Sequence, residues 1–376
     1  MHYTKSMIIG IDGNEANVER KVGVSEYSFE LIRAFSQMSE NISFRVYLKA
    51  PCNDSFPQQS AHFTYSVFGP SKLWTQIALP LKLLNEKNKV SVFFSPGHYA
   101  PRFTQVPRVI SIMDLAFFHF ADYFTKKDLA QLHSWTNYSV IKAKKIITIS
   151  EATKSDIIKF YKVPGEKIHV IYPGIKPSLS SNSHMSNEDL KKKYAIDSKF
   201  ILFVGTLQPR KNIARLIEAF SLLNDKEVKL VIVGKKGWKY EEILEAPKKF
   251  GCEEKVVFLN FVPDEDLQVL YKNAELFAFP SLYEGFGLPV LEAMKFNCPV
   301  LTSNVSSLPE AGGDAAHYCN PESTESIKDG IEKILEDRKY RENLIEKGKE
   351  NIKKFSWEKA AKETLAVLTE VGNNNK

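Results

Sequence analysis

Cysteine is scarce in this chain of 376 residues, and the four cysteines form no motif. Cys52, Cys252, Cys298 and Cys319 are scattered without a Cys-x-x-Cys pair, so we expect ordinary reduced thiols of a cytoplasmic protein. Long apolar runs are absent too. No stretch approaches the length that crosses a bilayer, and the first residues lack the apolar core of a signal peptide.

Glycine-rich nucleotide fingerprints are also missing. Neither Gly-x-Gly-x-x-Gly nor a P-loop pattern occurs, so dinucleotide and ATP binding lack their usual signature. Lysine and arginine are dispersed, and no nucleic-acid-binding module accompanies them. The sequence therefore argues against a nucleic-acid partner.

The composition is that of a globular protein long enough for two domains. Hydrophobic residues make up 43% of the chain and charged residues 26%, and this length exceeds one ordinary core. The net charge of +6 is uneven, because residues 1–175 hold 21 Lys and Arg against 14 Asp and Glu. This excess indicates contact with an anionic membrane or a lipid-diphosphate acceptor, or else a solvated basic surface.

Short apolar runs alternate with helical patterns along the whole chain. Continuous hydrophobicity is typical of strands covered on both faces, as in parallel sheets. The runs are Met7–Asp12, Phe44–Leu48, Val90–Phe94, Val109–Met113, Ile146–Ile149, His169–Tyr172, Phe200–Val204, Lys229–Val233, Val256–Leu259, Leu276–Phe279 and Pro299–Thr302. We predict an α/β protein with two Rossmann-like doubly wound domains, residues 1–175 and 176–354, facing each other across a cleft. A polar linker would begin at Lys176, and residues 355–376 would form a C-terminal helix.

The most informative segment is Ser281–Met294, which follows an apolar strand. Gly285 and Gly287 allow a sharp turn and close approach of the backbone to a ligand. Pro289 suits the first turn of a helix, where a missing N–H costs nothing. The segment therefore predicts a strand, a glycine turn and a helix start whose free N–H groups favour anions.

Two acidic residues flank this predicted anion site. Carboxylates repel phosphate, but Glu292 would fit if it accepts hydrogen bonds from ribose hydroxyls and Glu284 if it accepts them from a sugar. The ligand would then be a sugar joined to a nucleoside through a diphosphate. The alternative is a tight strand–helix connection with two solvated acids.

Two cations follow the first strand of the C-terminal domain. Arg210 and Lys211 lie in Gly205–Asn212, at the carboxyl end of a strand, where doubly wound folds bind ligands. Fixed cations there could hold a diphosphate and offset its charge as the sugar departs. The alternative is a pair of surface cations.

Weaker candidates end strands of the N-terminal domain. Gly13 follows the first strand and Gly23 precedes the next helix, so the loop between them could cover phosphates. Asp114 ends another strand and could hold a sugar hydroxyl or steady positive charge at an anomeric carbon. His98 and His119 are rivals for such a role.

Two stretches are interpreted as structural. Asp264–Asp266 follows Pro263 and is typical of a helix cap and an acidic first turn rather than a metal site. Acceptor contacts would lie on loops such as Gly69–Asn88. We expect its apolar members to pack and its lysines to be solvated: Leu73, Trp74, Ile77, Lys82 and Lys87.

Together these segments resemble the family-4 retaining glycosyltransferases, which have the two-domain GT-B fold. The match is carried by Phe203–Asn212, Pro280–Met294, Val300–Ala316 and Phe355–Trp357. It spans nearly the whole chain and is strongest to bacterial mannosyltransferase-like enzymes that build surface polysaccharides. The resemblance also implies a last helix, within Arg338–Val371, that packs back on the N-terminal domain.

The resemblance implies roles for individual residues. Glu284, Asp114, Arg210 and Lys211 would be the catalytic groups, with Glu284 on the donor sugar and the two cations on the diphosphate. Glu292 would bind the ribose. The implied donor site comprises Gly23, Gly205, Thr206, Arg210, Lys211, Phe261, Val262, Glu284, Gly285, Phe286, Gly287, Leu288 and Glu292.

One position departs from the family pattern. Relatives usually have His-Asp where this chain has Met113-Asp114, and methionine cannot donate or accept hydrogen bonds comparably. Either Asp114 suffices, or His119 or His98 substitutes, or activity is weak.

The resemblance implies a hexosyltransferase that retains anomeric configuration and needs neither metal nor cofactor. Its co-substrate would be a nucleotide sugar, with GDP-mannose favoured and a UDP-sugar the rival. The acceptor would be a glycan, with a lipid-linked one favoured, and the protein would be cytoplasmic, at the inner face of the plasma membrane. Two alternatives remain: a GT-B epimerase or phosphorylase, and a sugar-nucleotide-binding protein of weak or no activity, suggested by Met113.

Overall fold

The computed structural model describes residues 7–38, 42–177, 186–196, 198–225 and 227–374. The chain divides into two compact units. The first spans Met1–His119, Phe124–Gly174 and Phe355–Lys376, and the second spans Phe120–Tyr123 and Ile175–Lys354. The predicted linker begins at Lys176, and its residues 178–185 lie outside the described residues.

Each unit is built on one parallel β-sheet. The first sheet has seven strands in the order β3-β2-β1-β4-β5-β6-β7, and the second has six in the order β10-β9-β8-β11-β12-β13. The strands are β1 (Met7–Asp12), β2 (Ile42–Leu48), β3 (Phe63–Val67), β4 (Val92–Ser95), β5 (Arg108–Ile112), β6 (Lys145–Thr148), β7 (Ile168–Val170), β8 (Phe200–Val204), β9 (Lys229–Val233), β10 (Val256–Leu259), β11 (Leu276–Phe279), β12 (Val300–Ser303) and β13 (Ala316–Cys319). The prediction of two Rossmann-like parallel sheets is therefore confirmed.

Helices connect most of the strands, as is usual in parallel sheets, while loops alone join β2 to β3 and β4 to β5. The helices are α1 (Val24–Gln37), α2 (Leu79–Asn85), α3 (Ala116–His119), α4 (Lys126–Lys142), α5 (Glu151–Tyr161), α6 (Asn187–Tyr194), α7 (Ile213–Ser221), α8 (Glu241–Lys249), α9 (Asp264–Asn273), α10 (Leu288–Lys295), α11 (Leu308–Gly312), α12 (Thr324–Glu336), α13 (Arg338–Asn351) and α14 (Trp357–Asn373). Within the described part of the chain, none is long and apolar enough to cross a membrane.

The last helix, α14, packs in the first unit, as the resemblance implied. The Trp357 ring lies edge-on to that of Tyr27 in α1, with centroids 5.9 Å apart. Glu370 pairs with Lys145 of β6 at 3.3 Å. The last stretch of the first unit, Phe355–Lys376, has the bounds of the predicted C-terminal segment, whereas α13, which begins at Arg338, belongs to the second unit.

Three local expectations need correction. The edge strands β3 and β13 were not predicted. The cap of α9 is Pro263, which makes no side-chain hydrogen bond, although the acidic first turn at Asp264–Asp266 is present. The expectation that the apolar residues of Gly69–Asn88 pack holds for Trp74, which is buried. It is wrong for Leu73 and Ile77, each 50% exposed.

Candidate donor site

Two loops at the carboxyl ends of neighbouring strands build the candidate site in the second unit. β8 and β11 pair in parallel, so their carboxyl ends lie at the same edge of the sheet. A 3-10 turn, Pro209–Lys211, follows β8 and leads into α7. The backbone N–H of Leu282, beyond β11, donates to the carbonyl of Arg210 at 2.8 Å and ties the two loops together.

The structure brings Glu284, Arg210 and Lys211 into one buried cluster. The Lys211 ammonium donates to Oε1 of Glu284 at 2.5 Å, and Arg210 Nη1 lies 3.3 Å from Oε2. Arg210 also donates to the carbonyl of Tyr283 at 2.9 Å. Glu284 is 7% exposed and Lys211 8%. Two cations against one carboxylate leave this cluster with a positive charge, which favours an anionic ligand.

The cluster holds Glu284 in its ionised form. Burial alone would raise the pKa of this carboxyl group, but Lys211 and Arg210 outweigh burial and lower the pKa below its usual value. A carboxylate has about four lone-pair sites, and the two cations use two of them. Glu284 can therefore still accept hydrogen bonds from hydroxyl groups of a ligand.

Two serines to which no sequence motif gave a role hold the turn that carries Glu284. Ser306 donates its hydroxyl to the Glu284 carbonyl at 2.7 Å and accepts from the Glu284 N–H at 3.3 Å. The single O–H of Ser307 is shared between the carbonyls of Glu284 and Phe286, whose oxygens lie 2.8 and 2.9 Å away. Their hydroxyls satisfy buried backbone groups that the sharp turn leaves without regular partners. The resemblance had included Val300–Ala316 without any such assignment.

The glycine turn predicted before α10 is present. Gly287 has φ 116°, a conformation that L side chains rarely adopt, and it precedes Leu288 at the helix start. A Cβ at Gly287 would lie 2.9 Å from Cδ2 of Leu308. Gly285 and Phe286 complete the connection, and Phe286 is buried. The first N–H groups of a helix lack intrahelical acceptors, so this end suits an anion.

Glu292 projects from α10 and accepts a hydrogen bond from the buried Tyr271 hydroxyl at 3.1 Å. Burial raises the pKa of Glu292 above its usual value. Phe261, after β10, is 60% exposed, whereas Val262 is buried. An exposed ring such as that of Phe261 suits stacking on a nucleobase. Tyr271, which holds Glu292, was not predicted as part of this site.

Gly205 and Thr206 lie where β8 ends, as predicted. The Gly205 N–H donates to the carbonyl of Val233 at 2.9 Å. Gly234 sets this close approach, because a Cβ there would lie 1.9 Å from the Gly205 oxygen. The need for glycine at position 234 comes from backbone contact between two loops, which no local sequence pattern indicates.

The first unit holds the other predicted residues, and it gives them separate partners. Asp114 Oδ1 accepts the Ala116 N–H at 3.0 Å, and His98 Nε2 lies 3.2 Å from the Asp114 carbonyl oxygen. His119 Nε2 lies 2.9 Å from Oδ2 of Asp156 on α5. Met113 is buried. His98 is therefore in contact with Asp114, while His119 pairs with another acid.

A cavity of about 250 Å³ in the first unit adjoins His98. Asp12 lines it, and burial raises the pKa of Asp12 to about 6 despite two hydrogen bonds from Asn14. Gly13, next to Asp12, is packed so tightly that a Cβ would lie 2.5 Å from Cγ1 of Val46. The remaining lining includes Glu15, Lys49, Trp74, Tyr99 and Trp135.

Gly23 caps α1 with φ 55° and no side-chain hydrogen bond. A Cβ there would meet nothing within 4 Å, so backbone conformation rather than crowding favours glycine. Among the described residues, no group of three His, Cys, Asp or Glu side chains is placed to hold a metal ion.

Glycosyltransferase family models match both units of the chain. The family model for Glycosyl transferases group 1 matches residues 186–351, and that for Glycosyltransferase Family 4 matches residues 23–179. O-antigen chain mannosyltransferase B of Escherichia coli is 29% identical over 362 residues, covering 91% of this chain and 94% of that protein. The serotype-specific mannosyltransferase WbdA of Escherichia coli is 33% identical over 227 residues, 58% of this chain and 28% of that protein.

The fold also matches solved structures. HepE from Anabaena, solved with UDP and glucose, has a TM-score of 0.73 at 19% identity, covering 97% of this chain and all of that chain. The chain therefore belongs to the family-4 glycosyltransferases and has the GT-B fold.

Proposed function

We propose that this glycosyltransferase transfers a hexose, preferably mannose, from a nucleotide diphosphate sugar to a lipid-linked glycan with retention of anomeric configuration. The observation that carries the proposal is the buried Glu284–Lys211–Arg210 cluster, whose excess positive charge lies close to the glycine turn before α10. Such a cluster fits a ligand that combines an anionic diphosphate with sugar hydroxyls. Neither a metal ion nor a resident cofactor is part of the proposal.

The chemistry follows from these charges. The bond between the anomeric carbon and the diphosphate oxygen breaks, and Lys211, Arg210 and the α10 start stabilise the charge on the departing diphosphate. The acceptor oxygen bonds to the same carbon on the face that the diphosphate leaves, and its proton passes to the diphosphate. Glu284 orients the sugar, and Glu292, held by Tyr271, accepts from the ribose hydroxyls.

The donor base is the least constrained part of the site. Similarity to the Escherichia coli mannosyltransferases named above favours mannose as the sugar, and hence GDP-mannose as the donor, while HepE binds UDP in its crystal structure. Phe261 offers a ring face that stacks on any base. We favour GDP-mannose because the mannosyltransferases share more sequence with this chain.

The acceptor is proposed to enter the cavity of the first unit. Aromatic rings and carboxylates together suit a sugar, because rings pack on its C–H faces and acids accept from its hydroxyls. Trp135, Tyr99 and Asp12 supply both kinds of group. A lipid-linked acceptor and contact with an anionic membrane would also account for the basic excess in residues 1–175.

The first experiment is a thermal-shift panel with GDP, UDP, ADP and dTDP on the wild type, Glu292→Ala and a matched control, Glu310→Ala. One nucleotide should raise the unfolding midpoint of wild type and control, and this rise should disappear in Glu292→Ala. If no nucleotide shifts the midpoint at millimolar concentration, the proposed donor site is wrong.

The second experiment tests transfer itself. The preferred sugar nucleotide is incubated with lipid extracts or synthetic glycans, with and without EDTA, and the anomeric configuration of the product is read by NMR. Retention with unchanged activity in EDTA is expected. Epimerisation or phosphate-dependent turnover without an acceptor would favour the epimerase or phosphorylase, and binding without turnover would favour the binding protein suggested by Met113.

A further inference from the structure

A row of large apolar side chains lies exposed along one helical segment of the first unit. A π-helical turn, Trp74–Ala78, continues directly into α2. The exposed members are spaced by four, four and three residues, the spacing of one helix face. They are Leu73 (50% exposed), Ile77 (50%), Leu81 (54%) and Leu84 (60%), and we call them the leucine stripe.

The opposite face of the same segment is buried in the core. Trp74, Ala78, Leu79 and Leu83 are buried in a core cluster with Tyr47, Val90 and Phe93. The leucine stripe is thus not a loosely packed core face, because the segment has a separate core face. Exposed apolar patches of this kind mark sites that bind a partner or a membrane.

A neighbouring loop adds a further exposed ring. Val106 packs on the same core cluster as Trp74 and Leu83. Three residues earlier in this loop, Phe103 is 84% exposed. Exposed leucine and phenylalanine side chains together are typical of an interfacial membrane surface.

The charge around the leucine stripe is basic. Residues 68–91 contain four lysines and one acid, Glu86. Glu86 is paired with Arg45 at 2.7 Å and lies 3.7 Å from Lys82. The remaining lysines of the segment, Lys72, Lys87 and Lys89, are exposed. Lysines around exposed leucines complement an anionic lipid surface better than they complement a second copy of the same basic face.

The leucine stripe also begins at the cavity of the first unit. Leu73, Trp74, Thr75 and Gln76 line that cavity, and the stripe runs away from it towards Leu84. An acceptor whose glycan enters the cavity would have its lipid part beside this surface. Position, apolarity and charge therefore agree on one partner.

We infer that the leucine stripe, with Phe103 and the flanking lysines, is a docking surface for an anionic phospholipid membrane. The leucines insert at the level of the headgroups, and Lys72, Lys87 and Lys89 pair with lipid phosphates. The inference deepens the proposed function, since a lipid-linked acceptor would be presented at this surface. Docking itself needs neither donor nor acceptor.

The test is co-sedimentation of the full chain, without nucleotide, with vesicles of phosphatidylcholine alone or with 30% phosphatidylglycerol. The wild type should bind the anionic vesicles, and raising NaCl from 0.1 to 0.5 M should weaken binding. Leu81→Glu/Leu84→Glu should lower the partition coefficient by at least about 10-fold. Both residues are exposed, so this variant should keep the wild-type circular dichroism and unfolding midpoint.

The matched control is Ile141→Glu/Leu222→Glu, which adds the same charge at positions 53% and 50% exposed elsewhere on the chain. It should bind as the wild type does. Equal binding of the Leu81→Glu/Leu84→Glu variant, or no wild-type binding to anionic vesicles, would overturn the inference. Wild-type self-association in sedimentation velocity that this variant abolishes would assign the surface to a second copy instead. Nucleotide shifts and vesicle binding are separate readouts, so failure of the donor site leaves this test intact.

Discussion

Replacing Lys211 by methionine tests the buried cluster most directly. The substitution keeps much of the side-chain volume but removes the ammonium that lies 2.5 Å from Oε1 of Glu284. Both side chains are about one-tenth exposed, and removing one partner of a buried ion pair costs about 3–5 kcal/mol. Arg210 remains 3.3 Å from Oε2, so we expect the lower end, about 3 kcal/mol of unfolding free energy at pH 7.

The stability difference between the wild type and Lys211→Met should depend on pH in a definite direction. In the wild type the pKa of Glu284 is lowered, because Lys211 and Arg210 outweigh burial. The pairing therefore stabilises the protein above the unfolded carboxyl value of 4.5 and is lost as pH falls below it. In Lys211→Met, burial would dominate and raise the pKa of Glu284. The difference in stability between wild type and variant should therefore shrink as pH falls from 7 towards 5.

The assay is a double-mutant cycle with Glu284→Gln, followed by thermal unfolding at pH 7 and pH 5. Lys211→Met should lower the midpoint by roughly 10 °C at pH 7. The double variant should be more stable than the sum of the single losses predicts, with a coupling of about 2 kcal/mol. A loss below about 1 kcal/mol in Lys211→Met, or no coupling, would refute the buried pair. Transfer activity of Lys211→Met should fall about 100-fold in kcat because a fixed charge on the diphosphate is lost.

Three further substitutions probe the supporting residues. Ser307→Ala removes the hydroxyl shared by the Glu284 and Phe286 carbonyls, while the Glu284 carbonyl keeps its hydrogen bond from Ser306. It should cost about 1–3 kcal/mol in urea unfolding, and an unchanged midpoint would show that the turn holds without it. Tyr271→Phe removes the hydrogen bond to Glu292 and should raise the KM for the donor about 3- to 10-fold at unchanged kcat. A fall in kcat alone would contradict the proposed contact of Glu292 with the ribose. Asp12→Asn should be more stable than the wild type at pH 7, because burial raises the pKa of Asp12 to about 6. That gain in stability should shrink as pH falls through 6. A stability difference that stays constant between pH 7 and 4 would count against the raised pKa.

Much of the donor site could be predicted because its chemistry is local in sequence. Glu284, Gly287 and Glu292 follow one strand within a single short segment, and Arg210 and Lys211 follow another. Parallel strands bring such loops to one edge of a sheet. What the spacing could not show is that Glu284 is in direct contact with both cations. That contact depends on the pairing of β8 with β11, which are separated by more than seventy residues.

The residues that support the site were harder to predict for the same reason. Ser306 and Ser307 act through hydroxyls on backbone groups about twenty residues earlier in the chain. Gly234 is required by the carbonyl of Gly205 on a different loop. None of these has a local signature, since serine and glycine are common in loops for many other reasons. Such roles appear only when the loops are placed together.

The leucine stripe was hard to predict for a different reason. Its local hydrophobic pattern is strong, but the pattern does not tell which face of the segment is buried. Nine of the twelve positions from Leu73 to Leu84 are apolar, so hydrophobic spacing alone cannot say which face is buried. Packing of the whole segment was the natural expectation for a globular protein. The structure instead uses one face for the core and leaves the other exposed beside basic residues. Full burial of both faces would require a covering element, and a membrane can supply that cover while the lysines stay in contact with water and phosphate.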